Sequence, residues 1–345
     1  MLPQNLGRRA VPFVRPDVAN LLAMLSSAPG PKMEDGEPGP AREMMRMLAQ
    51  VAELPRGDLA HVADVTIPSP QGHAIPARVY SAAADPGPGP VLVYFHGGGW
   101  VIGDLETHDS LCAEIARVAG MTVVSVDYRL APEHRFPAAT EDCLAAMRWL
   151  AETPKPVGHT VTGLIPAGDS AGGNLAAVVA QQLGGKLPVP IVAQWLIYPG
   201  VDMTANSGSM QEFAEGYLLT NGGMRWFTEH YMGSEPDLHH AYASPIHADS
   251  LAGLPPAMVF TCGLDPLRDQ GRAYAAKLIS AGVPVVFREA AGQIHGCMTL
   301  RLAIPSTQDD LHACLAALRV MVDEALATQS AMAAAVQPQT TAAAE

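Results

Sequence analysis

Residues 160–183 read TVTGLIPAGDSAGGNLAAVVAQQL, and this stretch decides the architecture. Thr160 to Ala167 is apolar at nearly every position and has the length of a strand. A glycine-bearing turn follows, and Ala171 to Leu183 then carries apolar residues at helical spacing. A strand apolar on both sides is buried on both faces, which belongs to a parallel sheet covered by helices. The same alternation extends outward in both directions. Upstream lie a strand at Val91 to Phe95, a helix at Leu111 to Val118, a strand at Met121 to Val126 and a helix at Ala138 to Leu150. Downstream lie strands at Ile191 to Tyr198, Ala257 to Cys262 and Val283 to Glu289, with helices at Arg268 to Ala281 and Thr307 to Leu326. Ala63 to Pro68 and Ala74 to Tyr80 read as two further strands joined by a turn at Ser69 to Gly72. The fold class is α/β.

In an open parallel sheet, chemistry collects in loops at the carboxyl ends of the strands. Gly168-Asp-Ser-Ala-Gly172 is a G-x-S-x-G sequence placed between a strand and a helix, the context that makes it a nucleophile elbow. The sharp turn projects the Ser170 hydroxyl above the sheet, the flanking glycines allow close backbone approach, and the Ala171 N–H points outward from a helix start. After the strand Val91 to Phe95 comes His96-Gly-Gly-Gly-Trp100, whose consecutive glycines let N–H groups turn together toward an oxyanion. His96, beneath those glycines, is read as stiffening the loop. A serine needs a base, and the base needs a carboxylate to fix its tautomer. Asp265 and His295 each follow a strand, and the order Ser170, Asp265, His295 is that of a serine hydrolase built on such a sheet. Asp269 is the alternative acid, placed one helical turn further on.

Nucleotide binding fails on spacing. A G-x-G-x-x-G match starting at Gly97 meets Ile102 where glycine is needed, and a phosphate loop ending at Gly185-Lys186 meets Ala180 and Leu187. With 21 Lys and Arg against 34 Asp and Glu, the formal net charge is −13, and no basic cluster offers a footprint for nucleic acid. No apolar run reaches the ~20 residues of a membrane span. Val18 to Ala28, behind Arg8, Arg9 and Arg15, reads better as an amphipathic helix than as a signal peptide, because Asp17 and Asn20 lie in or beside it. The five cysteines, Cys112, Cys143, Cys262, Cys297 and Cys314, are widely spaced without a C-x-x-C pair, which points to reduced thiols, a cytoplasmic location and no metal site.

Taken together, His96-Gly-Gly-Gly-Trp100, Val126-Asp-Tyr-Arg-Leu-Ala-Pro-Glu-His134, Phe136-Pro-Ala-Ala139, Gly168-Asp-Ser-Ala-Gly-Gly-Asn174, Asp265-Pro-Leu-Arg-Asp269 and Ile294-His-Gly296 resemble the hormone-sensitive-lipase-like (bacterial family IV) carboxylesterases of the α/β-hydrolase superfamily. The resemblance spans about residues 90 to 300. It implies an eight-stranded, mostly parallel sheet flanked by helices, under a helical cap. It implies Ser170 as nucleophile, His295 as general base and acid, Asp265 as orienting acid, and the N–H groups of Gly98, Gly99 and Ala171 as oxyanion hole. No cofactor is called for. The activity implied is hydrolysis of short- to medium-chain carboxylic esters, with a homodimer formed through the last strand and helix. Lactonase, amidase and deacetylase chemistry use the same machinery and stay open beside it. A non-catalytic ligand receptor lacks a triad member, whereas all three stand here.

Two positions depart from the family pattern. Cys297 and Trp100 stand where relatives carry Phe, and both are expected to line the substrate pocket, Cys297 as a smaller wall and Trp100 as a narrowing of the entrance. Tyr128, Arg129, Glu133 and His134 are read as braces for the glycine loop, and Asp169 as a structural acceptor. The chain divides into N-terminal cap helices over 1–55, a catalytic domain over 56–326 with a cap insertion at about 202–249, and an aperiodic tail over 327–345 expected to be disordered. Because His295 must be neutral to take a proton, activity is expected to rise through roughly pH 6 to 7.

Overall fold

The computed structural model describes residues 12–27, 30, 32–233 and 237–336. Its strands are β1 (His61–Pro68), β2 (Ala74–Ser81), β3 (Gly89–Phe95), β4 (Thr122–Val126), β5 (Val161–Asp169), β6 (Gln194–Ile197), β7 (Ala257–Leu264) and β8 (Val285–Ile294). They form one eight-stranded sheet in the order β1-β2-β4-β3-β5-β6-β7-β8. The pairs β1–β2 and β2–β4 are antiparallel, and every pair from β4 to β8 is parallel. This is the mostly parallel sheet expected from the alternating pattern.

The helices are α1 (Pro16–Ser27), α2 (Pro38–Ala52), α3 (Asp109–Ala119), α4 (Ala138–Ala151), α5 (Ala171–Leu183), α6 (Ser209–Glu212), α7 (Asn221–Met232), α8 (Arg268–Ser280) and α9 (Thr307–Val336). Side chains alternate across a strand, and β3 shows how that divides the core. Val91, Val93 and Phe95 pack into a core with residues of α4, α5 and α8, among them Leu144, Leu175 and Tyr274. Leu92 and Tyr94 face the opposite side and pack with residues of α3 and α9, among them Leu111, Ile115, Leu311 and Leu315. Double-sided burial explains why β3, β4 and β5 show no polar alternation.

Four boundaries differ from the sequence reading, for physical reasons. β5 runs on to Asp169 and β8 to Ile294, so Ser170 and His295 each follow directly on a strand end. β6 is shorter than Ile191 to Tyr198, with Ile191 making only an isolated bridge to Leu164. The fourth is a correction: α9 continues past Leu326 to Val336, in place of the expected disordered tail. The added residues are rich in alanine, the strongest helix former, so absence of amphipathic periodicity did not mean absence of helix. Residues 1–11 and 337–345 lie outside the described residues.

The stretch 202–249 contributes α6 and α7, which lie on the same side as the carboxyl ends of β5 to β8. Thr220 caps α7 by accepting from the Gly223 N–H at 3.0 Å. Trp226 of α7 donates its indole N–H to the Gly36 carbonyl at 3.0 Å, which joins the insertion to the N-terminal segment. Arg42 of α2 donates to the carbonyls of Val101 at 2.8 Å and Ala131 at 2.9 Å and pairs with Glu133 at 2.7 Å. No helix among the described residues is long and apolar enough to cross a membrane.

Candidate active site

Ser170 occupies the turn between β5 and α5 with φ 56° and ψ −115°, a conformation that a side chain rarely adopts. The turn is possible because its neighbours have no Cβ. At Gly172 an added Cβ would collide with the Phe95 carbonyl, and at Gly168 with both that carbonyl and the Gly172 backbone. The hydroxyl thus stands at the floor of a pocket, hydrogen-bonded at 2.8 Å to His295 Nε2. On its other side His295 Nδ1 donates to Asp265 Oδ2 at 2.8 Å. Asp265 is fully buried, and its second oxygen accepts from the Leu267 N–H at 2.8 Å, which fixes the carboxylate plane. β5, β7 and the end of β8 therefore bring the three expected residues into one chain of hydrogen bonds. Asp269 is turned away, paired with Arg268 and Arg272 and accepting from the Ser209 N–H.

The glycine loop faces the same point. Gly98, Gly99 and Trp100 have φ of 116°, 58° and 62°, three successive left-handed residues closed by bonds from the Val101 and Ile102 N–H groups to the Gly98 carbonyl. Such a run turns consecutive N–H groups to one side as an anion-binding concavity. Among the described residues the N–H groups of Gly98 and Gly99 have no acceptor. Both residues line the pocket with Ala171, whose N–H is one of the unpaired first-turn donors of α5.

A buried polar set supports this loop from below. Asp169 Oδ1 accepts from the Gly97 N–H at 2.8 Å and the Tyr94 hydroxyl at 2.8 Å, with His108 Nε2 3.2 Å away. Burial pushes the Asp169 carboxyl up, but the charge and hydrogen bond of His108 and the Tyr94 hydroxyl outweigh it and hold it below the usual range. His96 is fully buried, donates from Nδ1 to the Gly97 carbonyl at 2.8 Å and stacks on Tyr128 at 4.3 Å. Tyr128 donates in turn to the His96 carbonyl at 2.7 Å. Arg129 grips Asp142, and Glu133 holds Arg42. His134 donates its backbone N–H to the Leu130 carbonyl at 2.9 Å.

The pocket encloses about 480 Å³ and is mainly apolar. Its walls come from α2 (Met44, Met45, Leu48), α7 (Met224, Phe227) and the segment after β6 (Met203). Met44, Met45, Met224 and Phe227 were not among the expected pocket residues; Trp226, Phe227 and Tyr231, grouped on adjoining faces of one helix, are the signal in the insertion that could have found them. Two expectations need correction. Cys297 does not line the pocket: it is fully buried, with its Sγ 3.6 Å from Cys262 Sγ, because the short helical turn at Cys297–Thr299 directs it into the core behind Gly296. Trp100 does border the pocket but does not narrow its entrance, since its ring stacks on Tyr231 at 4.5 Å and is only 7% exposed.

With this sheet and site, the chain belongs to the hormone-sensitive-lipase-like carboxylesterases of the α/β-hydrolase superfamily; the family described as having the alpha/beta hydrolase fold matches residues 92–299. It is an enzyme of the carboxylic ester hydrolase type. Among its relatives is the carboxylic ester hydrolase LipN of Mycobacterium tuberculosis, 43% identical over 267 residues that cover 75% of this chain and 70% of LipN. Ethyl acetate hydrolase of Pseudomonas putida is 37% identical over 269 residues, 77% of this chain and 82% of that protein. Among solved structures, a thermostable esterase from Pseudomonas putida superposes with a TM-score of 0.85 at 35% identity, covering 90% of this chain and 98% of its own. An ester hydrolase from the Lake Arreo metagenome, complexed with a bipyridine phosphonate derivative, superposes with a TM-score of 0.85 at 37% identity, covering 90% and 99%.

Proposed function

We propose that the protein is a serine carboxylesterase that hydrolyses short- to medium-chain carboxylic esters through an acyl-enzyme. The observation that carries this reading is the unbroken relay from Ser170 Oγ through His295 to buried Asp265 on the floor of an apolar pocket. Ser170 attacks the ester carbonyl while His295 Nε2 takes its proton, and Asp265 stabilises the imidazolium so formed. The carbonyl oxygen becomes an alkoxide facing the N–H groups of Gly98, Gly99 and Ala171. The tetrahedral intermediate collapses as His295 protonates the departing alcohol. Water, deprotonated by the same histidine, then attacks the acyl-enzyme and releases the acid. A pocket of about 480 Å³ with methionine walls accommodates a modest apolar acyl or alcohol group.

The test is hydrolysis of p-nitrophenyl esters from acetate to palmitate by the intact enzyme and by Ser170→Ala. Turnover is expected to be fastest on the short and middle chains, and the variant should lose about 10³-fold or more in kcat. Absence of turnover on every chain length by folded enzyme, or full activity in Ser170→Ala, sinks the reading.

We further infer a cytoplasmic homodimer. Its cysteines among the described residues are all free, which suits a reducing compartment. β8 is a sheet edge that leaves Val286 and Phe287 exposed, and such an edge invites pairing with a second copy. Light scattering is expected to give twice the chain mass, and a monomer at micromolar concentration rejects the dimer.

A further inference from the structure

We infer that the cap helix α7 sets the geometry of the oxyanion loop: Tyr231, acting through Trp100, and Phe227, acting against Gly99, are positioning residues for the N–H groups of Gly98 and Gly99. The inference rests on the reading of those groups as the oxyanion hole, and deepens it.

Gly98 and Gly99 adopt left-handed conformations at little cost, but Trp100 does not. At φ 62° a bulky residue sits where side chain and backbone crowd each other, and it stays there only if its surroundings hold it. Two contacts do so. The Trp100 carbonyl accepts from the Ala131 N–H at 2.9 Å. Its indole lies flat on the Tyr231 ring, with centroids 4.5 Å apart and planes within 5°. Tyr231 is itself fully buried, and its carbonyl accepts from the Phe136 N–H at 2.9 Å while Phe136 packs edge-on against its ring at 5.7 Å. The indole N–H of Trp100 is buried without a hydrogen-bond partner among the described residues, and the Tyr231 hydroxyl lies beside Thr140 and makes no bond to the indole. The two rings therefore hold each other by their faces, and the hydroxyl adds nothing to the stack.

One turn earlier on the same helix, the Phe227 ring covers Gly99 so closely that an added Cβ there would overlap it. Phe227 also borders the pocket. α7 thus touches the loop at two successive residues, Gly99 and Trp100, directly beside the proposed donors. Its other side is anchored on the N-terminal segment through Trp226 and the Gly36 carbonyl. The cap is consequently part of the device that holds the donors in place, and not only a wall around substrate.

A transition-state donor that is displaced costs kcat while leaving ground-state binding nearly intact. The experiment compares the intact enzyme with Tyr231→Leu, Tyr231→Phe and Phe227→Leu. It reads kcat and KM on p-nitrophenyl acetate and inhibition by phenylboronic acid, which forms a tetrahedral adduct on a reactive serine. Tyr231→Leu is expected to lower kcat about tenfold to hundredfold with KM within about threefold, and to weaken boronate inhibition in proportion. Tyr231→Phe, which keeps the ring, should stay within about twofold of the intact enzyme on both readouts. If Tyr231→Leu does not fold, Phe227→Leu carries the test through the same parallel loss of kcat and boronate affinity. A folded variant with undiminished kcat overturns the inference. So does a loss of kcat with unchanged boronate affinity, or a Tyr231→Phe as damaged as Tyr231→Leu. Boronate inhibition that survives Ser170→Ala sinks the underlying reading as well; inhibition that depends on Ser170 but ignores α7 sinks this inference alone.

Discussion

Individual residues carry this site by being held in place from behind. Asp265 is the clearest case, since one oxygen faces His295 and the other is occupied by the Leu267 N–H. Replacing it with Asn keeps the shape but offers an amide where the histidine needs an acceptor. Asp265→Asn is therefore expected to lower kcat by about 10³- to 10⁴-fold with little change in Tm, measured on p-nitrophenyl butyrate beside a thermal melt. Cys297 gives the opposite kind of prediction. Because its side chain lies in the core against Cys262, Cys297→Phe should overpack and destabilise by about 1 to 3 kcal/mol. Cys297→Ser should leave the acyl-chain preference unchanged. A shifted chain-length profile in Cys297→Ser, with an unchanged Tm in Cys297→Phe, would restore it to the pocket wall. The contrast shows what was legible at this scale. Ser170, Asp265 and His295 were readable as the proposed triad because such roles demand fixed residue types at strand ends. The direction of a side chain two residues past His295 depends on a local helical turn that no residue type announces.

Elements were legible wherever burial imposes a period. β3, β4, β5 and α5 stand where the apolar runs put them, whereas α7 was hidden in a polar, aromatic stretch whose partners are elsewhere in the chain. The same holds for α2, which was predictable as a helix but not in its attachment. Arg42 ties it to the Val101 and Ala131 carbonyls and to Glu133, and so fixes the wall formed by Met44, Met45 and Leu48. Arg42→Ala should cost about 1 to 2 kcal/mol and raise KM for longer esters more than for acetate. Equal KM values across chain lengths would show that α2 keeps its place without the tie. The Arg42 hydrogen bond holds the Glu133 carboxyl down to about 2 from an ordinary 4.5. The contribution of the pair is thus present above pH 4.5 and lost as pH falls toward 2, and it is small because Glu133 is largely exposed.

At the scale of the whole molecule, acid stability is governed by groups beneath the glycine loop. Burial, and then the charge of His108, hold the fully buried His96 imidazole down to about 4 from 6.5. The unfolded chain takes up this proton first, so stability is complete above pH 6.5 and falls as the pH drops toward 4, by at most about 3 kcal/mol. Asp127 opposes it. Burial, with Asp104 nearby, pushes its carboxyl up to about 6, so its protonation favours the fold as the pH falls through that value. Its side chain is 31% exposed, and solvent screening reduces the offset. Tm should therefore decline between pH 6.5 and 4, and more steeply in Asp127→Asn; a flat Tm in that variant rejects the account. Ser170 rises from a strand in the middle of the sheet, while His295 arrives on the strand at its margin. Once the proposed partner copy has dissociated from that edge, the margin frays before the centre on heating. The enzyme should accordingly fall silent at a temperature below its calorimetric melt, and recover on cooling for as long as the central strands have not come apart.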